Sequence, residues 1–74
     1  MVVFWKELEG KHLLCVEPAS RLLTMCCLAE GHWTFECLGS KKSAQCSGIE
    51  DAKQMAYVFL EGIMREVHSA LEGL

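Results

Sequence analysis

The strongest constraint on the fold is an apolar repeat in the C-terminal third of the chain. From residue 52 onwards, apolar side chains recur at steps of three and four, which places them on one face of an α-helix. Ser47 and Glu50 have the spacing of a capping box, in which each side chain satisfies a backbone N–H of the other. We therefore predict a helix over residues 48–72. The residues of its apolar face are Ala52, Ala56, Phe59, Ile63, Val67, Ala70 and Leu74.

The preceding residues alternate with the period of β-strands. Residues 22–28 are apolar on both alternating faces, as in the central strand of an antiparallel sheet. A Glu-Gly turn signal at 30–31 follows, and beyond it Trp33, Phe35 and Cys37 share one face of a second strand. These two runs predict a β-hairpin whose second strand presents an aromatic face to the core.

The remaining segments complete the predicted fold. Residues 11–17, which end at Pro18, are expected to pair with the central strand, and residues 2–5 suit a strand better than a helical turn. The stretch "GSKKS" at 39–43 is predicted as a loop, and "AQCS" as a last short strand or the approach to the helix. We predict one α+β domain over residues 1–74. It would hold a small antiparallel sheet of three to four strands, within about 2–46, packed by the one long helix.

The cysteines favour a structural role over a metal site. The chain has five of them, so one at least has no partner within the chain. Cys26 and Cys27 are adjacent and should point to opposite faces of a strand, and no C-x-x-C pair brings two ligands to one ion. We predict neither a metal nor a cofactor, and the alternative is a small zinc-binding protein. The cysteines expected in the core are Cys15, Cys27 and Cys37.

No sequence motif points to catalysis. A catalytic thiol needs a base within hydrogen-bond reach, and none of His12, His32 and His68 stands in a local cysteine–histidine signature. The sequence also lacks a glycine-rich phosphate loop and a G-x-S-x-G elbow. We therefore expect a non-catalytic protein.

Charge and hydropathy narrow the class of partner. The net charge is −3, and residues 49–74 carry most of the acidity. Because no basic stripe appears, and because Trp33 and Phe35 occupy the face that the helix needs, nucleic acid is not the expected partner. A nucleic-acid-binding or regulatory domain is the alternative function. No apolar run is long enough for a membrane span, and the N-terminus does not resemble a secretory signal. We expect a cytoplasmic protein with reduced thiols and no membrane contact.

The helix has more apolar surface than one sheet can cover. Its apolar arc extends beyond the face that packs on the sheet, and the excess forms a second seam. Either the N-terminal segment folds over this seam with Phe4 and Trp5, or a second copy of the chain does, with Gly62 allowing close approach. The candidate residues for a partner or homodimer interface are Tyr57, Leu60, Gly62, Met64 and Leu71.

A hairpin with W-x-F in its last strand, followed by "GIEDAKQMA" at the start of a helix, resembles a group of small phage and prophage accessory proteins. The resemblance covers about residues 31–60. It implies a protein-binding module. Some of these phage proteins bind and inhibit host defence machinery of the restriction or CRISPR type. The cysteine-rich central strand departs from that pattern. The residues that carry the resemblance are Trp33, Phe35, Gly48, Ala52, Lys53 and Ala56.

Overall fold

The computed structural model describes residues 2–17 and 20–74 and shows an α+β fold. A five-stranded antiparallel sheet precedes one long C-terminal helix, and the strands lie side by side in chain order. The α+β class is as predicted, but three to four strands was too few. The elements are β1 (Val3–Leu8), β2 (Lys11–Val16), β3 (Ser20–Ala29), β4 (His32–Cys37), β5 (Ser40–Gln45) and α1 (Ile49–Glu72).

β5 begins earlier than predicted, since a last short strand was expected, as one of two alternatives, only at residues 44–47. Residues 39–43 were expected to be a loop. Instead, the chain turns at Leu38–Gly39, and the residues from Ser40 onwards form β5. Both turn residues have positive φ, 49° and 81°, which is the backbone of the tight turn that suits a two-residue hairpin. Glu9 and Gly10 join β1 to β2 in the same way. Because leucine rarely adopts positive φ, the Leu38–Gly39 turn has no clear sequence signal.

The centre of the sheet follows the predicted pattern. The two-sided apolar strand is β3, the middle strand, and it pairs with β2 on one side and β4 on the other. Trp33, Phe35 and Cys37 are all buried on one face of β4. The first residues form β1, as expected. Pro18, predicted to end the second strand, lies outside the described residues.

The core lies between one face of the sheet and the first half of α1. The largest fully buried side chains there are contributed by the three central strands, while α1 contributes two alanines and an isoleucine. Small residues on the helix let its backbone approach the sheet closely. The core residues are Leu14, Leu23, Met25, Trp33, Phe35, Cys37, Cys46, Ala52, Ala56 and Ile63.

Candidate functional site

The start of α1 is fixed to the turn between β3 and β4. The Cys46 amide donates a 2.8 Å hydrogen bond to the Gly31 carbonyl, just before the helix begins. Gly48 is the N-cap residue and makes no side-chain cap. The predicted pairing of Ser47 with Glu50 is wrong, because the Ser47 amide instead donates to Asp51 Oδ2 at 3.0 Å. The partner lies one residue later, still in the first turn, where a carboxylate is favoured by the helix dipole.

The first half of α1 packs on the sheet. Ala52, Ala56 and Ile63 are buried, and Phe59 lies 6.4 Å from the Phe35 ring, centroid to centroid. Ile63 is the last buried residue of the chain. The helix then continues for nine residues to Glu72, about 13 Å at 1.5 Å per residue. We call residues 64–72 the projecting half of α1.

The N-terminal strand covers only the beginning of the predicted seam. Trp5 Nε1 donates a 2.7 Å hydrogen bond to the Tyr57 hydroxyl, and the two ring centroids are 6.0 Å apart. Lys53 Nζ lies 5.4 Å from the centroid of the Trp5 ring. Phe4, which was expected to accompany Trp5, alternates to the opposite face of the sheet. The seam beyond Leu60 therefore has no cover from β1.

The projecting half has an uncovered apolar face. Met64 is 42% exposed, Val67 39% and Leu71 61%. Val67, Ala70 and Leu74 were predicted to share one apolar face with the buried residues of α1, but all three are exposed, because the sheet ends before the helix does. Together with the end of the covered seam, the exposed residues have the 3-4-3-4 spacing of a heptad repeat. We call this set the heptad stripe: Tyr57, Leu60, Met64, Val67 and Leu71.

Charged side chains line one edge of the heptad stripe. Glu61 pairs with Arg65 one turn later, and His68 pairs with Glu72 in the same way. All four are exposed, so these pairs contribute little to the stability of a single chain. The other edge, on the side of the sheet, carries Ile63 and Ala70. The stripe therefore has one charged edge and one apolar edge.

Gly62 does not mediate a close approach within the chain. A Cβ atom added at Gly62 would meet nothing within 4 Å, and the residue lies outside the heptad stripe. We expect Gly62→Ala to raise the free energy of unfolding by about 0.5–1 kcal/mol, because alanine loses less backbone entropy in a helix. Urea denaturation of both proteins at one concentration measures the change. Destabilisation by Gly62→Ala would mean that another chain packs against this position.

The cysteines divide between core and surface differently from the prediction. Cys37 is buried under the helix as expected, whereas Cys27 is exposed. Cys15 is buried, but on the sheet face away from α1, since it pairs across from Phe4. Cys46 is an additional core thiol.

Burial raises the pKa of Cys37, and burial together with the Asp51 carboxylate raises the pKa of Cys46. These two thiols stay protonated and are poor nucleophiles at neutral pH.

The histidines approach carboxylates or amides. His12 lies 3.7 Å from a Glu7 oxygen, His32 Nδ1 lies 3.3 Å from the Gln45 amide nitrogen, and His68 pairs with Glu72. Among residues 2–17 and 20–74, no hydrogen bond joins a cysteine to a histidine. The same residues contain no group of three or more potential metal ligands. Cys26 and Cys27 point to opposite faces of β3, as predicted, because they pair with Thr34 and Trp33, which alternate on β4.

The described part of the chain has no helix long and apolar enough to cross a membrane. Neither protein-family models, nor curated proteins, nor solved structures include a significant match to this chain.

Proposed function

We propose that this chain is a small non-catalytic protein-binding module that pairs with a second copy of itself through the heptad stripe. The observation that carries the proposal is the exposure of Met64, Val67 and Leu71 on a helix that extends past its own sheet. A 3-4 repeat of apolar residues is the pattern by which two helices pack side by side. The occupant that fits such a stripe is therefore another helix.

Charge and shape favour a second copy in antiparallel orientation. With the two-fold axis between residues 65 and 66, Leu60 meets the partner's Leu71, and Met64 meets the partner's Val67. The charged edges then bring Glu61 opposite the partner's His68, while the apolar edges bring Ile63 opposite the partner's Ala70. A histidine attracts the carboxylate when it is protonated and can donate a hydrogen bond when it is neutral.

A parallel pair is less favourable on both counts. It would place Ile63 against the partner's His68, so an apolar side chain would face a polar one. It would also place both sheets beside the same stretch of the helix pair, whereas the antiparallel pair keeps them at opposite ends. Fully burying a leucine or methionine side chain contributes about 1.5–3 kcal/mol. Several such residues from each chain can offset the loss of translational and rotational freedom on association.

The test of pairing is Met64→Glu, with Val58→Glu as the matched control. Val58 is 65% exposed and lies on the other side of α1, outside the heptad stripe. We expect the wild type and Val58→Glu to be dimers at micromolar concentration. Met64→Glu should be a folded monomer, because each glutamate would be buried against apolar side chains. Light scattering gives the mass and circular dichroism the helix content. A wild type that remains monomeric at high micromolar concentration contradicts the proposal.

The orientation is tested by reversing charges. Glu61→Lys should weaken the antiparallel dimer about fivefold, since lysine would face the partner's His68, and adding His68→Glu should restore affinity. In a parallel dimer residues 61 and 68 do not meet, so the second change would restore nothing. The measurement is the dimer dissociation constant from sedimentation, and circular dichroism corrects for changes in the helix itself.

The resemblance to phage accessory proteins supports a narrower proposal about the target. We propose that the dimer binds a component of a host defence complex, of the restriction or CRISPR type, and inhibits it. The measurement is the plating efficiency of phage on cells that carry such a system, with and without expression of this chain. A system that restricts phage equally in both cases is not the target, and the proposed dimer does not depend on that result.

A further inference from the structure

We infer that the sheet face opposite α1 is a second binding surface, which takes an acidic, extended protein segment. The helix covers one side of the sheet, and the residues that alternate with the core residues form the other side. Cross-strand partners share a face, so the strand register defines this surface. We call this side the open face, and its charged strand residues are Lys6, Lys11, Arg21, Glu36 and Lys41.

The open face is cationic on a protein whose net charge is −3. Lys6, Lys11, Arg21 and Lys41 are all exposed on it, and among the paired strand residues they face the carboxylate of Glu36. Lys41 Nζ lies 3.5 Å from a Glu36 oxygen, so even this carboxylate is compensated. Residues 49–74 carry the excess negative charge, and α1 lies on the opposite side of the sheet. This separation of charge gives the open face a field that attracts anions.

The surface has a groove lined by hydrogen-bond donors. A shallow depression of about 350 Å³ runs between Lys11 and Lys41, past Glu36, and Thr24 and Ser43 line it with hydroxyl groups. The Thr34 hydroxyl also lies there but donates to the Cys26 carbonyl. A smaller depression of about 200 Å³ adjoins it at Thr24 and continues towards Arg21. Ammonium, guanidinium and hydroxyl groups can all donate to carboxylates, and the charged pairs are the strong ones. The groove thus offers donors along its length.

The positions of the aromatic residues favour a protein ligand over a nucleic acid for the open face. Single-stranded nucleic acids bind sheets by stacking bases on exposed aromatic rings. Trp5, Trp33 and Phe35 all lie on the face covered by α1, and only Phe4, at the β1 edge, lies on the open face. Instead, the half-buried Cys26 gives the middle of the open face an apolar character that suits side chains. An acidic peptide in an extended conformation matches the donors and needs no stacking.

The inference is tested with a fluorescein-labelled oligoglutamate peptide, and with oligothymidine as the competing probe. We expect the peptide to bind at micromolar concentration in low salt, and the affinity to fall at physiological salt because the contacts are exposed charges. Lys11→Gln combined with Lys41→Gln should weaken binding about fivefold to tenfold. Lys53→Gln with Arg65→Gln removes the same charge from α1 and is the matched control. Fluorescence anisotropy measures the affinity of the wild type and of both double variants for each of the two probes.

Three outcomes would overturn the inference. The first is no saturable binding of the peptide, and the second is an equal loss in the control variant, which would mean attraction by net charge alone. The third is tighter binding of oligothymidine, which would assign the open face to phosphate. The monomeric Met64→Glu variant should bind the peptide as tightly per chain as the wild type, so failure of the proposed dimer leaves this test intact.

Discussion

We expect Phe35→Ala to lose about 3–5 kcal/mol of folding free energy, which is the range for truncating a buried phenylalanine. Phe35 is 1% exposed, lies in β4 and contacts the helix through Phe59. A chain of this length has a total stability of about 4–11 kcal/mol. The variant should therefore be largely unfolded near 37 °C if the wild type lies at the lower end of that range.

Urea denaturation followed by circular dichroism measures this loss, at one protein concentration because dimerisation adds to apparent stability. Phe4→Ala is the matched control. It removes the same side chain from a position that is 38% exposed on the open face, and should cost less than about 1 kcal/mol. If Phe35→Ala does not fold at all, Phe35→Leu should retain the fold with a smaller loss. A Phe35→Ala variant as stable as Phe4→Ala would contradict the described core.

The second large effect is expected at Ala56, where α1 packs on the sheet. Ala56 is fully buried, so the three extra carbon atoms of Ala56→Leu have no space. Either the helix moves away from the sheet or side chains leave their preferred rotamers, at a cost of about 1–3 kcal/mol. Leucine is nearly as good a helix former as alanine, so the loss would be one of packing.

Ala70→Leu is the control for Ala56→Leu. Ala70 is exposed in the projecting half of α1, where no strand lies opposite it. The same substitution there should leave the free energy of unfolding of the monomeric Met64→Glu background within about 0.5 kcal/mol. Thermal unfolding of both variants in that background separates packing on the sheet from pairing between chains. Equal losses at the two positions would show that helix propensity, and not packing, is responsible.

The sequence predicted the middle of the sheet well and its edge poorly. Trp33 and Phe35 alternate with polar residues, and large apolar side chains two apart leave little choice of face. In β5, by contrast, only Ala44 is even half-buried, so the strand has no apolar period. Its lysines are typical of an edge strand that must not pair with other chains. Such a strand is held by hydrogen bonds to β4, which sequence patterns do not report.

The interface candidates were predicted from their angular positions around the helix, without considering how long the helix is relative to the strands. Tyr57 and Leu60 lie on the predicted seam, yet the periodicity alone did not show that Val67 and Ala70 leave the sheet. A helix of 24 residues is about 36 Å long, whereas a six-residue strand spans about 20 Å. Comparing these lengths would have indicated the projecting half. The open face could not be predicted, because identifying it requires knowing on which side of the sheet the helix docks.

The connectivity of the sheet also bears on how quickly the protein forms. Every strand pairs with its neighbour in the chain, and three of the hairpins close through two-residue turns, at Glu9–Gly10, Glu30–Gly31 and Leu38–Gly39. Pairing between sequence neighbours costs little loop entropy, so chains of this kind fold faster than sheets of similar size with long-range connections. The helix is synthesised after the strands, and until it docks the apolar face of the finished sheet is open to water. The nascent chain is therefore most prone to self-association in that interval, between completion of β5 and arrival of α1.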